Sequence, residues 1–206
     1  MSLLGCLPFV ISGEIPNYID ALFEMVSGFT TTGSSVVPVV EELSKGILYW
    51  RSFSHWVGGM GVLVFLLAVI PVSEQKGGFT MHLLRAESPG PNVGKLVPRM
   101  KQTAMILYVI YILLTVLNVI FLLLGKMPVF EAVCTAFGTA GTGGFGIKAA
   151  SLGGYSPACQ WIITVFMLLF GVNLNMYYFL LVWRVRDVLR AEELRAYLLI
   201  VVAAVL

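Results

Sequence analysis

Three apolar segments constrain this chain more than any other feature: residues 47–70, closed by Pro71; residues 102–124, closed by Gly125; and residues 156–183, closed by Arg184. Each is long enough to cross a bilayer as a helix, which takes about 20 residues. Hydrophobic residues make up 58% of the chain and charged residues 12%, with a mean hydropathy of +0.91. Soluble domains carry roughly 45–50% apolar and about 25% charged residues. The fold class is therefore an all-α membrane protein. Residues 1–11 are apolar, too short to span, and lack a basic leader, so they read as the tail of a span rather than a signal peptide. Residues 196–206 open another apolar segment. Both ends break inside apolar sequence, and the expectation is a piece of a longer chain. A net charge of +2 gives no reason to expect nucleic acid. Cys6, Cys134 and Cys159 are scattered and lack metal-ligand spacing.

Basic residues set an expected orientation. Lys76, Arg85, Lys95, Arg99 and Lys101 lie between the first two spans, and Arg184, Arg186, Arg190 and Arg195 follow the third. The segment 125–156 holds only Lys126 and Lys148. Cytoplasmic loops carry the Lys/Arg excess, so both basic loops are expected inside. Residues 18–33 and 125–156 are expected outside.

Both expected outer segments carry a short apolar stretch running into a Thr/Gly turn. Residues 18–29 precede Thr30, Thr31, Thr32 and Gly33; residues 128–137 precede Gly138, Thr139, Ala140, Gly141, Thr142, Gly143 and Gly144. In each, an acidic residue followed by Ala (Asp20-Ala21, Glu131-Ala132) opens the stretch, and a Phe (Phe29, Phe137) comes just before the turn. The two units recur about 110 residues apart, the kind of internal repeat that membrane pores and carriers use. The short stretches fit re-entrant helices, allowed at membrane depth where they are buried in protein or line a water-filled path. A Thr/Gly turn there can present successive carbonyls that replace the water shell of an alkali cation.

These residues carry a resemblance. Residues 23–34, from Phe23 to Ser34, resemble the first pore loop of the Trk/Ktr/HKT potassium transporter superfamily. Tyr49-Trp50-Arg51-Ser52-Phe53-Ser54-His55-Trp56-Val57-Gly58-Gly59-Met60-Gly61 resembles the following span in its TrkH-like branch. Residues 136–146 resemble the second pore loop, residues 166–173 the span after it, and residues 189–199 the start of a third repeat. The resemblance implies span–pore loop–span repeats with re-entrant pore helices, potassium-channel-like, of which this chain holds two of four. It implies a first pore repeat at 1–71, a cytoplasmic loop at 72–101, a second repeat at 102–183, and a linker with the start of a third at 184–206. It implies potassium uptake through a filter of carbonyls from Thr30, Thr31, Thr32, Gly33, Ala140, Gly141, Thr142 and Gly143, with the ion at Thr31, Thr32, Thr142 and Gly143. The second register is open by one residue, because Gly143 and Gly144 are adjacent. Gly at position 33 goes with potassium preference in this family. Potassium is substrate, and no cofactor is expected.

The implied partners are the remaining repeats of the same chain, a second copy in a homodimer, a cytoplasmic nucleotide-binding regulatory subunit (TrkA-like), and the lipid of a bacterial or archaeal inner membrane. An enzyme is not expected: Ser34 and Ser35 have no base beside them, and His55 and His82 fall on opposite sides of the membrane by the charge topology. The alternatives are a secondary carrier for another cation or small solute, or a non-conducting assembly fragment. Among other residues, Gly58, Gly59 and Gly61 read as helix-packing positions, with a hinge as the lesser reading. Asn118, Asn173 and Asn175 read as interhelical hydrogen bonders. Tyr49, Trp50, Arg51, His55 and Trp56 read as interfacial anchors. Glu24 and Glu131 read either as negative potential at the mouth or as helix caps. Asp20 favours the helix dipole.

Overall fold

The computed structural model describes residues 1–61, 100–181 and 191–205, and all regular structure among them is helical. Two short helices, α1 (Ser2–Gly5) and α2 (Leu7–Ile11), lead to α3 (Tyr18–Phe29). After the first Thr/Gly turn and a single 3₁₀ turn at Val40–Glu42 comes α4 (Lys45–Gly59). The remainder is α5 (Met100–Leu124), α6 (Val129–Ala140), α7 (Pro157–Gly171), α8 (Leu174–Leu181) and α9 (Glu192–Val205). Of the residues that set the expected orientation, Lys76, Arg85, Lys95, Arg99, Arg184, Arg186 and Arg190 lie outside the described residues.

Helix α5 is the one described helix long and apolar enough to cross a membrane alone. Its buried stripe is Tyr111, Thr115, Asn118 and Leu122, at helical spacing. Its exposed stripe is Val109, Leu113, Val116, Ile120 and Leu124. The polar side chains thus face protein and the apolar ones face outward, the reverse of a water-soluble helix and the arrangement that lipid favours. Asn118 is fully buried, and its amide has no hydrogen-bond partner among the described residues, contrary to the expected interhelical bond. Asn173 does bond, to Glu193 at the head of α9 (3.1 Å); the Asn175 side chain lies outside the described residues.

The two helices that lead into the Thr/Gly turns match in length and position. Helices α3 and α6 both have 12 residues, and one constant offset along the chain carries both ends of the first onto the second, Tyr18 onto Val129 and Phe29 onto Ala140. Asn17 caps α3 by accepting from the Ile19 N–H (3.0 Å); Pro128 holds the same place before α6. Helices α4 and α7 match as well. Each follows a Ser cap, Ser44 or Ser156, runs for 15 residues and stops at Gly59 or Gly171. The third apolar segment is therefore two helices: Val172 is extended, and α8 starts at Leu174. Of the first apolar segment, residues 62–70 lie outside the described residues.

The two stops share one device. A helix end leaves carbonyls without intrahelical donors. Tyr111 of α5 donates its hydroxyl to the Trp56 carbonyl (2.8 Å), and Tyr197 of α9 donates to the Leu168 carbonyl (3.0 Å). Trp56 and Leu168 hold the same place in the last turn before the terminal glycine. A Cβ on either Gly59 or Gly171 would lie 2.6 Å from the tyrosine oxygen. At Gly59 it would also meet backbone, the Gly141 Cα at 2.7 Å and the Ala140 carbonyl at 3.0 Å. Gly58 is pressed likewise against the Phe29 carbonyl at the end of α3. The end of α4 therefore packs on the ends of both short helices, and only glycine permits it.

This geometry orders three substitutions. Gly59→Ala costs about 1–3 kcal/mol, the range for overpacking a close-packed site. Gly171→Ala costs less, and adding Tyr197→Phe restores part of the loss by removing the colliding oxygen. Gly46→Ala, in the first turn of α4 with nothing within 4 Å of the added carbon, is neutral to slightly stabilising, because Ala is the better helix former. Thermal unfolding of the purified variants in detergent checks the order.

Candidate functional site

Both Thr/Gly turns start as helix C-caps and leave the helix the same way. Thr31 sits at φ +54° and Gly33 at φ +75°; Thr142 sits at φ +56° and Gly144 at φ +66°. The offset that carries α3 onto α6 also carries Thr31 onto Thr142 and Gly33 onto Gly144. In the first turn the Thr31 N–H donates to the Gly28 carbonyl (3.1 Å) and the Thr32 N–H to the Ser27 carbonyl (3.0 Å), the paired closure of a left-handed helix cap. In the second the Thr142 N–H donates to the Thr139 carbonyl (3.0 Å).

Ala140 is thus the last residue of α6, the counterpart of Phe29, and is buried. The backbone counterparts of Thr30, Thr31, Thr32 and Gly33 are Gly141, Thr142, Gly143 and Gly144. By this offset the expected set Ala140, Gly141, Thr142 and Gly143 begins one residue before the backbone counterpart of Thr30. The reason is conformational: the left-handed glycine of the second turn is Gly144, and nothing in a Gly-Gly pair tells which member takes that φ.

The two turns touch. A Cβ on Gly33 would fall on the Gly143 carbonyl oxygen, and one on Gly143 would fall on the Thr31 carbonyl oxygen. Side chains beside the first turn fix it. The Ser27 hydroxyl donates to the Ser34 carbonyl (2.5 Å), and the Thr30 hydroxyl donates to the Val26 carbonyl (2.8 Å).

A buried ion pair joins the segments that follow both turns. Arg51 of α4 donates through Nε to Glu24 of α3, and both side chains are nearly inaccessible. Glu24 also accepts from the Ser35 hydroxyl (2.8 Å) and the Val36 N–H (3.0 Å). Arg51 donates through Nη1 to the Gly146 carbonyl (2.6 Å), with its guanidinium carbon 3.5 Å from the centre of the Phe145 ring. One pair therefore holds Ser35 and Val36 after the first turn and Gly146 after the second. One helical turn along α4, His55 is fully buried, its ring stacked on Phe145 with centroids 5.1 Å apart. The interfacial reading of Arg51 and His55 is overturned: both face inward.

Glu131, in the first turn of α6, pairs with Lys148 of the segment between α6 and α7 (2.8 Å). The carboxylate holds that ammonium above its ordinary pKa. Among the described residues no group of His, Cys, Asp and Glu could hold a metal ion.

Residues 1–202 match the TrkH family, described as cation transport protein. The chain belongs to the TrkH family. It is 41% identical over 182 residues to the Trk system potassium uptake protein TrkH of Salmonella typhimurium, covering 86% of this chain and 37% of that protein. It is 34% identical over 209 residues to the Trk system potassium uptake protein TrkG of Escherichia coli, covering 100% of this chain and 42% of that one. Its fold matches the crystal structure of the potassium transporter TrkH from Vibrio parahaemolyticus with a TM-score of 0.68, at 34% identity over 86% of this chain and 34% of that one. The chain thus spans well under half the length of these relatives. The TrkH family is one of cation transporters rather than of enzymes, and the chain has its all-α membrane fold with pore-helix repeats.

For this TrkH-family chain, sequence reasoning found both turns and missed the groups that fix them. Glu24 and Arg51 were read separately, although opposite charges in two apolar membrane segments are a signal for pairing. Removing one partner of a buried pair strands the other charge, at about 3–5 kcal/mol, whereas removing both costs much less. Arg51→Met and Glu24→Gln should each destabilise the protein strongly. The double variant should be more stable than the Arg51→Met single. Detergent unfolding curves for the two singles and the double test this.

Proposed function

We propose that this chain supplies two filter loops of a potassium-uptake pore in a bacterial or archaeal inner membrane. The carrying observation is the recurrence, at one constant offset, of a Thr and a Gly in left-handed conformation at the end of a 12-residue helix, with the two turns in contact. Each turn opens at a helix C-terminus, whose dipole carries roughly half a negative charge and favours a cation. Left-handed positions swing successive carbonyls to one side, where they can replace an ion's hydration shell. The filter residues are then Thr30, Thr31, Thr32 and Gly33 with Gly141, Thr142, Gly143 and Gly144, and potassium is the substrate. The names of the relatives, all Trk system potassium uptake proteins, support the choice of ion.

On this reading residues 1–71 and 102–183 are two pore repeats. Residues 72–101 are a cytoplasmic loop, and residues 184–206 lead into a third repeat. Two further loops complete the ring, and the assembly works as a homodimer with a cytoplasmic nucleotide-binding regulatory subunit.

The first test is selectivity in the full reading frame, expressed in a host without its own potassium uptake. Gly33→Ser strains the backbone and puts a side chain against the Gly143 carbonyl, so potassium-over-sodium preference should fall several-fold. Gly144→Ser should lower it too. A normal ratio in Gly144→Ser, beside a lowered one in Gly33→Ser, would return the second register to Gly143. A second test uses residues 1–206 alone, with two of four loops. The fragment should give no potassium-selective uptake, because unsatisfied backbone groups in a bilayer cost several kcal/mol each. Robust selective uptake by the fragment would mean that two copies build the ring.

A further inference from the structure

His55 is a large polar group beside the two turns that the filter reading leaves without a role. It is fully buried, and neither ring nitrogen has a hydrogen-bond partner among the described residues. In either tautomer the imidazole carries one N–H donor and one lone pair, and leaving such groups unpaired in a buried site is costly. A carbon side chain would fill the space without that cost.

The ring's surroundings indicate its use. One face stacks on Phe145, which also carries the Arg51 guanidinium. The edge formed by Cδ2, Nε2 and Cε1 lies against the second turn. A Cβ on Gly141 would fall on Cδ2, with Nε2 at 2.7 Å. A Cβ on Gly143 would fall on Cε1, with Nε2 at 2.5 Å. The same Gly143 carbon would also fall on the Thr31 carbonyl, and the Gly143 carbonyl abuts Gly33. His55, Gly143 and the first turn therefore stand in one line of contacts. The imidazole edge thus abuts Gly143, whose carbonyl in turn abuts Gly33, so a displaced ring would press on both turns.

We propose that His55 is a specificity-determining positioning residue. Its ring sets the position of Gly143, and its Nε2 hydrogen-bonds the backbone of the second turn when a cation is seated, so that one side chain of the first repeat tunes both loops. The inference rests on the filter reading above and extends it to a residue that touches no ion. His55 acts through the loop backbone and is not a ligand.

The test compares His55→Gln with His55→Met in the full reading frame. The two side chains have similar length and bulk, but only Gln puts a hydrogen-bonding group where Nε2 lies. The readout is the ratio of potassium to sodium uptake, which is independent of how much transporter reaches the membrane. His55→Gln should keep most of the wild-type ratio. His55→Met should lower it roughly 2- to 10-fold, the effect of one hydrogen bond on an equilibrium. Equal ratios in the two variants, both normal or both lowered, overturn the proposal. Gly33→Ser, measured alongside, separates it from the reading it rests on. A lowered ratio there with equal Gln and Met overturns the role of His55 alone. An unchanged ratio in Gly33→Ser overturns the filter reading and this inference with it.

Discussion

The ion pair between Glu24 and Arg51 is the interaction on which the arrangement of the two turns depends. Burying two charges is expensive, and a buried pair by itself is weak evidence for stability. What this pair supplies is placement. Glu24 receives Ser35 and Val36 after the first turn, while Arg51 holds the Gly146 carbonyl after the second and lies over Phe145. A carboxylate with two lone-pair-bearing oxygens and a guanidinium with five N–H donors can satisfy this many partners at once; a neutral pair could not. The second repeat has no copy of the pair. Counted from the starts of the matching helices, Thr135 stands where Glu24 does and Ile163 where Arg51 does. A single pair, all of it from the first repeat, thus serves two loops, and the repeats are similar in backbone but unequal in what fixes them.

The same inequality appears at the helix stops. Gly59 and Gly171 end equivalent helices, and in each case a tyrosine from another helix takes a carbonyl of the last turn. Yet Gly59 is wedged against the backbone of α6, whereas the three atoms nearest a Cβ on Gly171 all belong to the Tyr197 side chain. The first stop is built into the contact between repeats. The second is held by hydrogen bonds at the head of α9, from Tyr197 and between Asn173 and Glu193. The Gly59 stop is therefore part of the contact between the two turns, and the Gly171 stop is not.

How much of this was legible in the sequence follows from the kind of force involved. The membrane class, the two short helices and the two Thr/Gly turns are written in composition and periodicity, which burial in lipid reads directly. The packing role of Gly58 and Gly59 was legible because small residues permit close approach of helices. Which residue of the second turn is left-handed was not, because a Gly-Gly pair hides it, and the short helix runs on to Ala140 past Phe137. The helix stop at Gly171 lies inside an apolar segment that hydropathy treats as continuous. Arg51 and His55 were misread because a span end rich in Trp and Tyr looks interfacial. What turns them inward is a partner, Glu24 and Phe145 respectively, that only the folded chain brings near.

The two left-handed positions in each turn obey different logic. Gly33 and Gly144 have no Cβ, so φ of +75° and +66° carries no steric penalty there. Thr31 and Thr142 are β-branched, and at φ of +54° and +56° they are strained. Such residues persist only where their surroundings over-determine them, at about 1–3 kcal/mol each. For Thr31 the surroundings are visible: two cap hydrogen bonds from Thr31 and Thr32, a third from Thr30, and the hydroxyl contact between Thr30 and Thr32 (2.8 Å). Glycine at these positions would relieve the strain but lengthen the run of unrestrained backbone at the point where the turns touch. A strained Thr next to a free Gly gives a turn with one rigid corner and one adaptable one. The rigid corner is set by the helix cap. The adaptable corner of the first turn, Gly33, lies against the Gly143 carbonyl, whereas a Cβ on Gly144 would meet the Met167 methyl at 3.6 Å, so the two turns share a backbone path while their glycines face different neighbours.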